Sequence, residues 1–147
     1  MLGALTRWLR ILGYDAVYMN EVSDDELLAI STDEGRILLT KDLALYRRAI
    51  SRGLDPCFVE GPSTASRLAN IAERYSIRLT VDPTLSRCPL CNSRLNEIGK
   101  REICDRVPRG TLNNYDEYWS CVGCGKIYWH GSHWNKISET LRMARTL

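Results

Sequence analysis

The 147 residues are enough for one ordinary domain with a small appended module. A composition of 44% hydrophobic and 26% charged residues excludes the disordered and fibrous classes, and no run of 18 apolar residues exists to form a membrane-spanning helix. The formal charge of +2 gives no strong reading of nucleic-acid affinity, but the halves exclude a polybasic tail: residues 1–80 hold ten Lys/Arg against eleven Asp/Glu, net −1, and residues 81–147 hold ten against seven, net +3.

The first stretch, through Tyr14, carries Arg7 and Arg10 and no acid before Asp15, as some targeting segments do. Its apolar residues Leu2, Leu5, Trp8, Leu9 and Leu12 recur at helical spacing, however, and Gly13 is placed to end the helix. The pattern therefore predicts a core helix. Secretory features are missing, so the six cysteines are expected in a reducing, cytoplasmic setting where metal binding is favoured over disulfides.

Asp15–Tyr18 reads as a short strand. Ser23-Asp24-Asp25-Glu26 is a capping box, opening a helix through Leu27, Leu28 and Ile30 that Gly35 stops. The apolar run from Arg36 to Thr40 is too short for a helix and predicts a strand buried on both faces. A helix from Leu43 to Arg52 is closed by Gly53, Pro56–Glu60 is the next strand, and Ser63 or Thr64 caps a helix through Leu68, Ile71, Ala72 and Tyr75. Alternation of this kind implies parallel βαβ units and a doubly wound α/β sheet, with ligands beyond the carboxyl ends of the strands. The periodicity changes near Asp82-Pro83, giving an α/β domain over residues 1–80 and a second unit over 81–147 that ends in a short basic helix from Trp134.

Two CxxC pairs, Cys88-Pro-Leu-Cys91 and Cys121-Val-Gly-Cys124, are separated by 29 residues. Two intervening residues let both sulfurs of a pair face one ion, and Gly123 and Gly125 supply the backbone freedom of the second turn. Together Cys88, Cys91, Cys121 and Cys124 predict a closed, structural Zn²⁺ site, with hairpin strands of a zinc ribbon drawn from Ile98–Ile103 and Tyr118–Trp119. A redox CxxC opens a helix after a strand, and neither pair does. Cys57 and Cys104 are read as ordinary core or surface thiols. His130 and His133 could form a second metal site or do acid–base work, or could pack and hydrogen-bond beside the ribbon; a third reading is contact with nucleic-acid bases by stacking of Trp129, His130, His133 and Trp134.

The acids Asp24, Asp25 and Glu26 open a helix, where cap and dipole explain them. Asp42 lies directly beyond the strand ending at Thr40, where parallel sheets place their chemistry.

Three segments, Met1–Asp15, Ser23–Leu28 and Gly35–Asp42, together with the CxxC pairs and the run Tyr128–Trp134, resemble the Mut-seven C-terminal RNase family. The resemblance implies a PIN-like nuclease fold followed by a zinc ribbon. It implies a divalent-metal-dependent ribonuclease that holds Mg²⁺ or Mn²⁺ on Asp24 and Asp42, with Asp25, Glu26, Thr40 and Lys41 as auxiliaries. The family's first metal-binding aspartate ends a strand upstream of the residues matching Met1–Gly3, so the resemblance implies either a weakened catalyst or a longer natural product. The rival expectation is a non-catalytic adaptor that binds RNA or the ribosome through its ribbon.

Overall fold

The computed structural model describes residues 2–147, and Met1 lies outside them. Helix α1 spans Leu2–Ile11 and ends as expected, with Gly13 at φ +98° and the Tyr14 N–H donating back to the Leu9 carbonyl. Helix α2, Asp24–Glu34, has the full capping box from Ser23 and Glu26 and a left-handed Gly35 at its end. Helix α3 (Leu43–Ser51) is capped by Asp42 and helix α4 (Thr64–Tyr75) by Ser63.

The strands are shorter than the sequence suggests. Strands β1 (Leu39–Thr40) and β2 (Cys57–Phe58) form a parallel pair, in register Leu39 opposite Cys57. This mixed α/β arrangement has a two-stranded parallel sheet, where a doubly wound fold would have several strands. Arg36 and Ile37 stay outside β1 because Arg36 turns to Asp15 and Ile37 is 51% exposed. Asp15–Tyr18 is not a strand. Side chains, not a sheet ladder, satisfy the main chain of Ala16: Arg10 Nε donates to its carbonyl at 2.8 Å, and its N–H donates to Asn92 Oδ1 at 3.3 Å.

Beyond residue 82, β3 (Leu95–Ile98), β4 (Tyr118–Cys121) and β5 (Ile127–Tyr128) make an antiparallel sheet in the order β3-β4-β5. The strand expected over Ile98–Ile103 stops at Ile98 and gives way to a 3₁₀ turn at Lys100–Glu102, which buries Ile103 completely. A short helix α5, Arg109–Asn114, packs Leu112 against Ile103, Val107, Tyr118 and Ile127, the ribbon's own small core.

The last helix, α6 (Trp134–Arg145), returns across the molecule to α4. Its Leu141 and Ala144 are buried with Leu5, Leu9, Leu68 and Ile71, so the main apolar core is closed by residues from both ends of the sequence. A second cluster holds Leu28, Leu38, Leu45 and Ala49 between α2, β1 and α3. No helix among the described residues is long and apolar enough to cross a membrane.

Candidate functional site

The strongest assembly is the cysteine tetrad. Hairpin β3–β4 brings Leu95 opposite Cys121, which carries the second CxxC turn onto the first. The four sulfurs of Cys88, Cys91, Cys121 and Cys124 lie within 4.8 Å of one another. Cys88 and Cys124 Sγ are 3.7 Å apart, and Cys91 and Cys121 Sγ are 3.3 Å apart. Tetrahedral bonds of about 2.3 Å separate sulfurs by about 3.8 Å, so the tetrad could hold one zinc ion.

Local hydrogen bonds prepare this site. The N–H groups of Gly123 and Cys124 donate to Cys121 Sγ at 3.3 and 3.4 Å, favouring thiolate there, while the Tyr128 hydroxyl lies 2.9 Å from Cys88 Sγ. Ser93, by side chain and backbone, and then Cys121 draw the exposed Cys91 thiol down to about 6, whereas burial pushes Cys121 up to about 11. Burial and the neighbouring Cys88 also raise the Tyr128 phenol, which keeps it protonated beside the Cys88 sulfur.

The two glycines act differently. Gly125 is left-handed at φ +77°, but Gly123 has no positive φ. A Cβ at Gly123 would collide with the Ser93 side chain and sit 3.2 Å from Cys91 Sγ, so Gly123 is needed for close approach and not for a strained turn. Cys57 is buried and Cys104 exposed, and neither joins the tetrad.

The acidic residues are arranged otherwise. Asp42 Oδ1 accepts from the Ala44 and Leu45 N–H groups at 2.9 and 3.2 Å, and the Asp42 N–H donates to Thr40 Oγ1 at 3.0 Å. Thr40 is buried, so it fixes where α3 starts; Lys41, between them, is half-buried. Asp24 lies 3.6 Å from Arg48 Nη1, and Asp25 pairs with Arg48 and Arg52. Glu26 is spent on the cap, accepting the Ser23 N–H at 3.1 Å. Among the described residues, the structure does not bring these acids into a group of three or more metal donors, as it does the cysteines.

Beside them is a largely apolar cavity of about 370 Å³ between α1, residues 14–19 and β1. Val17, Tyr18, Met19 and Ile37 form its exposed rim, and Thr40 reaches its wall, but neither Asp24 nor Asp42 lines it. Asp15 does, where hydrogen bonds first from Arg36 and then from Asn92 hold its carboxyl below the ordinary aspartate range.

In the terminal segment, the His130 ring stacks on Trp134 at 3.8 Å and 8°, and on Trp119 at 4.9 Å and 28°. Two indoles cannot share one face of an imidazole, so both faces of His130 are covered. Trp129 tilts against Tyr118 in the ribbon core. His133 is exposed and Trp134 half-buried.

Residues 1–141 match the family model described as the Mut7-C RNAse domain. The chain belongs to that family. No curated protein and no solved structure matches it. For a Mut7-C RNAse domain, two features of the sequence went unread. Asn92 directly follows a CxxC at φ +71°, and Asn is among the few residues that adopt this conformation readily. Arg48, a turn and a half into the helix capped by Asp42, pairs with Asp24 and Asp25, two of the three acids that open α2. The first could have been suspected from a polar residue tolerant of left-handed backbone at a knuckle; the second had no local signal.

Proposed function

We propose that the chain is a divalent-metal-dependent ribonuclease with a structural zinc ion in its ribbon. The observation that carries this reading is the placement of Asp42 directly beyond β1, held by Thr40 and linked through Arg48 of the same helix to Asp24, in a chain of an RNAse-domain family. In this reading residues 1 to about 80 are a PIN-like α/β unit. Residues 81–147 are the ribbon with its terminal helix.

Asp24 and Asp42 would hold Mg²⁺ or Mn²⁺, hard cations that are content with one or two carboxylates and otherwise keep water. Bound there, such an ion supplies an activated water and offsets charge on the leaving oxygen of a phosphodiester. The protein's own part is positional. Thr40 and the α3 cap orient Asp42, and Arg48 balances the charge of Asp24 and Asp25 until a cation replaces it. The cysteine tetrad has no open position, so its zinc would stabilise and not react. RNA is the partner that the family suggests. Trp134, half-buried, and His133, exposed, are the aromatic contacts proposed for it, since Trp129 and His130 are engaged within the ribbon.

A second reading has an observation behind it. With Asp24, Asp25 and Glu26 paired or capping, these acids also suit a non-catalytic RNA-binding adaptor. A cleavage assay on RNA with Mg²⁺, Mn²⁺ and EDTA separates the two. Metal-dependent cleavage lost on Asp42→Asn supports the nuclease; salt-sensitive RNA binding without cleavage supports the adaptor.

A further inference from the structure

We propose that the Cys88–Cys91 knuckle is a metal-dependent latch that holds residues 14–17, and with them one wall of the apolar cavity, against α1. The inference rests on the proposed zinc site and concerns what that site does for the rest of the molecule.

Asn92 is the first part of the latch. Its N–H closes the knuckle by donating to the Cys88 carbonyl at 2.8 Å, and its carboxamide reaches across 76 residues of sequence. There Oδ1 accepts from the Ala16 N–H at 3.3 Å, and Nδ2 donates to Asp15 Oδ1 at 2.7 Å. Arg10 is the second part. One guanidinium spans Ala16 and the knuckle, donating from Nε to the Ala16 carbonyl at 2.8 Å and from Nη1 to the Pro89 carbonyl at 2.9 Å. Both main-chain polar groups of Ala16 are thus satisfied by side chains that lean on the knuckle. The C-terminal end of α1 is tied to the same loop, because Arg87 N–H donates to the Arg10 carbonyl at 2.8 Å and Ser86 Oγ to that of Ile11 at 2.6 Å.

Residues 14–17 have no strand partner that would hold them otherwise. All four line the cavity, and Asp15 also grips Arg36, which leads into β1. A metal ion on Cys88 and Cys91 fixes the loop that carries Pro89 and Asn92. Without the ion, the loop is closed by a few hydrogen bonds near the surface, and its grip on Ala16 weakens. Coupling of this kind is reciprocal, so loss of the Asn92 carboxamide should also weaken zinc binding.

Hydrogen exchange of the full chain reads the latch directly. Zinc content is measured first, and exchange at Ala16 is then followed in zinc-loaded and chelator-stripped protein. Amides of α3 serve as the control, since Leu45 and Ala49 pack in the separate cluster with Leu28 and Leu38. Stripping should accelerate exchange at Ala16 at least tenfold while leaving α3 unchanged. Asn92→Gly, which keeps the left-handed backbone and removes the carboxamide, should reproduce the acceleration in protein that still holds one zinc. Arg10→Met, which keeps the stem and removes the donors, should do the same. Equal exchange at Ala16 with and without zinc, equal acceleration of α3, or both substitutions leaving Ala16 protected would overturn the latch. Protein purified without any zinc would instead bring down the zinc site itself.

Discussion

Arg48 Nη1 lies 3.6 Å from Asp24 Oδ2, and the same guanidinium pairs with Asp25. Arg48 sits in α3, whose cap is Asp42, so one helix carries both a candidate ligand at its start and the counter-charge of another ligand further on. If Asp24 takes a divalent cation, Arg48 is its competitor. Arg48→Met should raise Mn²⁺ affinity several-fold, because removing a cation beside a carboxylate favours another cation there. Stability should change by no more than about 1 kcal/mol, the range for exposed ion pairs. Unchanged Mn²⁺ affinity, measured by titration alongside the melting curve, would make the pair a structural contact only.

Asp42 has two roles to separate. As the α3 cap, it can be replaced by Asn at almost no cost, whereas Ala should cost about 0.5–2 kcal/mol. As a metal ligand, it tolerates neither, because Asn lacks the anionic oxygen. Asp42→Asn should therefore melt like the parent yet lose metal-dependent cleavage, and Asp42→Ala should lose both. An Asn variant that cleaves RNA normally would confine Asp42 to the cap.

Removal of a zinc ligand should act on folding. Structural zinc contributes on the order of 10 kcal/mol to small metal-bound units. Cys88→Ser or Cys121→Ser should abolish zinc binding and unfold the ribbon sheet, while Cys104→Ser, at an exposed thiol outside the tetrad, should leave the zinc content at one ion. Loss of zinc on Cys104→Ser would show the ligand set to be misassigned.

The His130 sandwich gives a pH dependence of definite sign. Burial holds its imidazole below the ordinary value of 6.5, against a smaller opposing pull from Glu117. In the window between the lowered folded value and 6.5, the unfolded chain binds a proton that the folded chain refuses. Stability is therefore complete above about pH 6.5 and declines as pH falls through that window. His130→Phe, which keeps a ring between Trp119 and Trp134, should flatten the melting temperature between about pH 5.5 and 7.5. A variant that keeps the parent's slope would assign it to another group.

What was legible in the sequence was local. Ser23 with Glu26, a cap at Ser63 or Thr64, Gly35 at the end of α2 and the spacing of each CxxC all involve residues within about one helical turn. What was illegible depended on distant partners. Residues 15–18 read as a short strand, yet the Ala16 N–H donates to Asn92 and its carbonyl accepts from Arg10, and no ladder forms. Strand β1 shrinks to two residues because Arg36 turns to Asp15 and Ile37 is exposed, and β2 pairs only with those two residues. Nothing near His130 announced that Trp119 would cover its second face. The tetrad was readable because each CxxC keeps two ligands close in sequence; the ion pairs of Asp24 and Asp25 were not, since Arg48 and Arg52 come from α3 and its end.

The return of α6 to α4 leads to the last prediction. Leu141 is 3% exposed and packs with Leu5, Leu9, Leu68 and Ile71, four side chains from α1 and α4. An independent ribbon unit would feel Leu141→Ala only locally. A shared core would feel it throughout, because the cavity opens between the first and last helices. Truncating a buried Leu to Ala costs about 2–5 kcal/mol, which is a large part of a typical domain stability of about 5–15 kcal/mol. We expect Leu141→Ala to lower the melting temperature of the helical signal from α1–α4 and to leave zinc bound, since the ribbon's own core of Ile103, Val107, Tyr118 and Ile127 is untouched. Circular dichroism reads the first and a zinc-release dye the second. If the helical signal melts as in the parent, α6 contributes little to the core, and residues 1 to about 80 fold without it. If zinc is released at the same lowered temperature as the helices melt, ribbon and helical core unfold as one cooperative unit.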